Sequence, residues 1–159
     1  MVRWEDHIIK YLGGILNYTK FKDVQKTDLD YKHCTDYLIK DEFEIKHIAL
    51  RVRECAPYND ITIRAKRKNG NETELDKIIN NQSKTDYIFY AKFKWNDTIL
   101  NDTNNFDPED WFLVIADTKN LKELVIKYNE EANLRWNIDK KTALIGIPLE
   151  ELNIIYKNY

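Results

Sequence analysis

Between positions 60 and 66 the side chains separate completely by parity. Asp60, Thr62, Arg64 and Lys66 fall on one side, and Ile61, Ile63 and Ala65 on the other. Successive side chains of a strand point to opposite faces, so this segment is predicted to be a half-buried strand with one polar face. It commits the chain to a sheet that packs on one side and presents charge on the other.

The rest of the chain supplies further strands and helices. Trp4, Ile8, Ile9, Leu12, Ile15 and Leu16 recur at helical spacing and predict a helix over 4–18. The pair Gly13-Gly14 weakens it, marking a break or a close approach to another element. Residues 21–33 read as a polar connection or a ragged strand. Strands are predicted over 35–39 and from 43 or 45 to 53, with a turn between them. The third strand, 61–66, ends at the Asn69-Gly70 turn signal. A helix over 72–82 follows, capped by Thr73 or Asn71, and then a strand over 86–93. The Asn- and Asp-rich segment 96–110 reads as a surface loop. The apolar run Trp111 to Ala116 reads as a buried strand. Asp117 or Thr118 would cap a helix over 119–128. A short strand over 142–147 would lead to a closing helix that starts at Pro148, with Leu149, Leu152, Ile155 and Tyr156 on one face.

With 159 residues, 43 % hydrophobic and 33 % charged, the chain has the length and composition of one globular domain spanning 1–159. The predicted class is α+β. No stretch approaches the apolar length of a membrane span, and no apolar run follows Met1-Val2-Arg3-Trp4 as a secretory leader would require, so a cytoplasmic protein without membrane contact is expected. The formal net charge is -2, which leaves any nucleic-acid surface to a local basic patch.

The predicted strands supply such a patch. Arg51 and Arg53 share a parity, and so do Arg64 and Lys66. If the second and third strands are neighbours, the four cations lie together with Asp36 as the nearest acid. Like charges at strand spacing repel, so the face needs anionic partners. They could be Asp36, Glu54, Asp60 or Glu74, or an external phosphate, which a planar guanidinium bonds in two places. The alternative is a solvated face laced with weak ion pairs. Arg67 extends the basic run Arg64 to Gly70 at the strand end. Guanidinium neighbours are expected to keep Asp36 ionised.

These residues resemble the PD-(D/E)xK, or restriction-endonuclease-like, superfamily. In its pattern a helix precedes a hairpin, the first hairpin strand carries an Asp and the next ends in (D/E)-x-K, and a helix packs beside the site. Thr35-Asp36-Tyr37-Leu38-Ile39 resembles the first strand, and Ile48-Ala49-Leu50-Arg51-Val52-Arg53 resembles the second. The resemblance covers about 4–93, with additional strands and helices over 111–159. It implies a mixed central sheet flanked by helices and a Mg²⁺-dependent endonuclease in which Asp36 holds the metal. Arg51 and Arg53 stand where the acid and the lysine belong, and a permanently protonated arginine cannot bind a cation. An active enzyme would therefore need a rearranged site. Glu74, Asp60, Glu54 or Glu5 would supply a second acid, and Lys66 or Lys77 the lysine. The alternative is an inactive module on the same fold. It would bind nucleic-acid phosphate, DNA or RNA, or an acidic protein partner, through Arg51, Arg53, Arg64, Lys66 and Arg67.

Other chemistry is poorly represented. His7, His33 and His47 fit no zinc spacing, and Cys34 and Cys55 are expected to be buried free thiols.

Overall fold

The computed structural model describes residues 3–53, 59–95 and 106–159. Helix α1 (Trp4–Ile15) is followed by strand β1 (Lys20–Asp23), helix α2 (Asp28–His33) and strands β2 (Tyr37–Lys40), β3 (Ile45–Arg53) and β4 (Asp60–Arg67). Then come α3 (Glu74–Ile79), β5 (Tyr87–Phe93), β6 (Trp111–Asp117), α4 (Leu121–Tyr128), β7 (Arg135–Trp136), β8 (Thr142–Pro148) and β9 (Asn153–Lys157). The strands form two sheets. The large one has six strands in the order β1-β2-β3-β5-β6-β9, and the small one has the order β4-β8-β7. The large sheet is mixed: β3 runs parallel to β5, and its other pairings are antiparallel. The fold is α+β, as expected.

The large sheet is covered on both faces. Ile8, Ile9 and Leu12 of α1 pack on Tyr37, Ile39, Ile48, Phe89, Leu113 and Ile115. On the other face, Ala49, Ile88, Tyr90, Val114 and Ala116 meet Ile61, Ile63, Ile145 and Ile147 of the small sheet, with Leu75 and Ile78 of α3 and Leu121, Leu124 and Val125 of α4. Burial on both faces explains the continuous apolar run of β6, since neither parity meets water.

Several expectations need correction. β3 and β4 are not neighbours: β3 lies between β2 and β5, and β4 pairs with β8 in the other sheet. The alternating Ile61 and Ile63 are buried against the large sheet rather than beside β3 within it. The closing helix is absent. Leu149–Glu151 form one 3-10 turn, and the chain then pairs with β6 as β9. The β-rich stretch Ile154-Ile155-Tyr156 and the free edge of β6 override the helical spacing. α1 stops at Ile15, and Gly13 lies inside it, where a Cβ would make only ordinary contact with Ile39 at 3.6 Å. The polar stretch 21–33 holds both β1 and α2. Thr73 does cap α3, in a reciprocal box with Asp76. The cap residue of α4 is Asn120, and it makes no side-chain cap bond. Most of the predicted 96–110 loop, together with Glu54, Cys55 and Tyr58, lies outside the described residues.

Candidate anion-binding cleft

A cleft of about 400 Å³ opens where α2, the β2–β3 hairpin, α3 and the small sheet meet. Its lining includes Asp36, Arg51, Glu74 and Lys77, with Arg64 and Arg67 from β4. Asp30, Tyr31 and Cys34 come from α2 and its C-cap, and Thr62 and Leu144 from the small sheet.

Arg51 is the centre of the site. Its Nη2 donates to Glu74 at 2.5 Å, and its Nη1 lies 3.4 Å from Asp36 Oδ2. Glu74 is the first residue of α3, so the Thr73 cap fixes where its carboxylate points. Asp36 enters β2, and its carboxylate accepts the Leu50 N–H at 2.8 Å. Burial pushes Asp36 up to about 6, against the opposing pull of Arg51 and the Leu50 N–H. This reverses the expected direction. The nearer Glu74 is the main cause of Arg51's raised pKa, and the longer contact to Asp36 does not offset desolvation. Burial also pushes the Cys34 thiol up to about 11, so it is a weak nucleophile.

β4 supplies the arginines through an irregularity. The β4–β8 register shifts between Arg64 and Lys66. Arg64 stands opposite Leu144 and Arg67 opposite Thr142, whereas Lys66 stands opposite the buried Ala143. The extra residue turns Arg67 toward the cleft and Lys66 away from it. Lys66 lines a second groove with Gly70, Thr73 and Asp76, and Arg67 borders both this groove and the cleft. Simple alternation therefore misassigns Lys66, and only the bulge brings Arg67 in.

The other predicted residues fall elsewhere. Arg53 pairs with Asp60 at 2.9 Å, and Asp60 also accepts from Arg135 at 2.9 Å. Gly146 lies beneath this pair, and a Cβ there would collide with both Arg135 and Asp60. Asp60 is thus committed to two arginines away from the cleft. Glu5 lines a smaller pocket of about 190 Å³ that also touches Asp36 and Arg51. Lys77 donates to the Tyr31 carbonyl. The sequence reading missed the α2 wall, because a six-residue helix leaves too short an apolar pattern to find.

Arg64 and Arg67 differ from Arg51 and Arg53 in having no carboxylate partner among the described residues. The Arg67 Nε is buried and meets no hydrogen-bond acceptor there. A buried donor of this kind costs free energy until an acceptor reaches it. Among the described residues, no three His, Cys, Asp or Glu side chains gather to share a metal ion. No described helix is long and apolar enough to cross a membrane.

Compared with protein-family models, with curated proteins and with solved structures, the chain has no significant match.

Proposed function

We propose that this chain is a nuclease-like module of the PD-(D/E)xK kind that binds nucleic-acid phosphate in the cleft and does not cut it. The order of elements supports the resemblance: α1 precedes a β2–β3 hairpin, Asp36 stands at its entry, and α3 lies beside the site. The observation that carries the binding is the pair Arg64 and Arg67, which lack carboxylate partners among the described residues and line the cleft, one with a buried unmatched N–H. Two guanidinium groups in one concavity suit a phosphate.

The residues present do not fit a resident Mg²⁺. Asp36 and Glu74, two of the three acids that line the cleft with Asp30, both face the Arg51 guanidinium. A hard cation needs several oxygen ligands and no adjacent fixed positive charge. One observation favours the second reading, a metal-dependent nuclease with a rearranged site: Asp36 and Glu74 converge on a single cation, with Glu5 on the other side of Asp36. That arrangement becomes a metal site only if Arg51 leaves.

The test is anisotropy with labelled DNA and RNA oligonucleotides over a salt series. Binding should weaken steeply with salt, and Arg64→Ala with Arg67→Ala should flatten the log–log slope by roughly 1 to 2. No affinity at low salt would sink the proposal and leave an acidic protein partner for the arginines. Mg²⁺- or Mn²⁺-dependent cleavage that disappears in Asp36→Ala would establish the nuclease instead.

A further inference from the structure

Tyr31 stands on the α2 wall of the cleft and is 58 % exposed. Among the described residues its ring stacks on no other ring and its hydroxyl has no partner, while its carbonyl is held by Lys77. A singly exposed aromatic is ordinary on a protein surface, and what distinguishes Tyr31 is its position in the cleft with a free ring face. Here the aromatic shares a cleft with Arg64 and Arg67, and Leu144 and Thr62 add less polar surface to the same lining. Cation on one element and bare aromatic ring on another are the two halves of a single-strand site: the groove follows the backbone, and the ring takes a base face.

Size selects among nucleic acids. Pockets of about 300 to 1,000 Å³ take single small ligands. This cleft, at about 400 Å³, is at the lower end. A duplex keeps its bases in the stack and can offer such a concavity only its backbone, unless a base is pulled out at a cost of a few kcal/mol. An unpaired strand offers phosphate and base together at no such cost.

We infer that the cleft takes one unpaired nucleotide of a single strand, its phosphate on Arg64 and Arg67 and its base against Tyr31. The inference rests on the phosphate-binding reading and narrows it to a substrate class. Affinity then depends weakly on sequence, because every base has a face to stack.

The experiment measures anisotropy with single-stranded and duplex oligonucleotides of equal length, with a mononucleotide as competitor, on wild type, Tyr31→Ala and Tyr31→Phe. The single strand should bind about tenfold or more tightly than the duplex, and Tyr31→Ala should lose about tenfold on the single strand alone. Tyr31→Phe should retain that affinity, and neither variant should change the salt slope. Equal affinity for both strands, with a normal salt slope, overturns the single-strand inference and leaves the phosphate reading intact. So does a Tyr31→Ala that binds like wild type. A mononucleotide that competes as well as the oligonucleotide overturns the strand assignment in favour of a free nucleotide. Absence of binding to all three overturns both readings. Tyr31 is exposed, so its substitution leaves the core untouched and the fold can be checked by circular dichroism.

Discussion

At the scale of single residues, the Asp36–Arg51–Glu74 group decides what the cleft can hold. Asp36 sits at about 6 because burial outweighs Arg51. Between its ordinary value of 3.8 and about 6, the folded chain keeps a proton that the unfolded chain has released. This carboxyl therefore favours the fold below that window, and its contribution is lost as the pH rises through it. The same protonation removes a negative charge from the cleft. Affinity for a polyanion should accordingly strengthen as the pH falls from about 7 through about 6, as measured by anisotropy at fixed ionic strength. Asp36→Asn should flatten that dependence. His47 of β3 remains in that variant, and burial holds it below the ordinary histidine value, so a pH dependence that persists shows that Asp36 is not its source.

Among the elements, α3 shows how local capping reaches the site. Thr73 is almost fully buried, accepts the Asp76 N–H at 3.3 Å and is followed directly by Glu74. Thr73→Ala should lower stability by about 1 to 2 kcal/mol, and Thr73→Ser should retain most of it, as read from urea midpoints. This helix was legible in the sequence, because the cap and the Leu75, Ile78 stripe announce it locally. Arg51 was legible as a strand residue in the same local way, whereas Asp36, expected inside its strand, stands one residue before β2 begins. What could not be read was pairing between elements. Parity gives the faces of β4 correctly at Ile61 and Ile63, yet nothing in that segment says that it belongs with β8 rather than β3. Parity also fails at Lys66, since a bulge adds a residue without leaving a local signature. β9 was read as a helix because its apolar residues satisfy both periods, and only the free edge of β6 resolves them.

For the whole molecule, coverage of the large sheet on both faces sets where stability is greatest. β5 and β6 are internal strands with almost every residue buried, whereas β1 is an exposed edge. In native-state hydrogen exchange, amides of β5 and β6 should exchange only through global opening, and those of β1 and β9 earlier. Exchange of β5 ahead of β1 would contradict this layering. The small sheet has a different implication. Asp36, Arg51, Arg64, Arg67, Glu74 and Lys77 are encoded within one short stretch, but β4 finds its sheet partner only in β8, some eighty positions later. A chain emerging from the ribosome thus carries every charged group of the cleft long before it has the strand that fixes the arginine wall. Until Thr142–Pro148 is made, β4 is an unpaired strand with an apolar face. The nascent protein is most open to aggregation or chaperone capture at that stage, and the order of synthesis makes the cleft among the last parts of the structure to form.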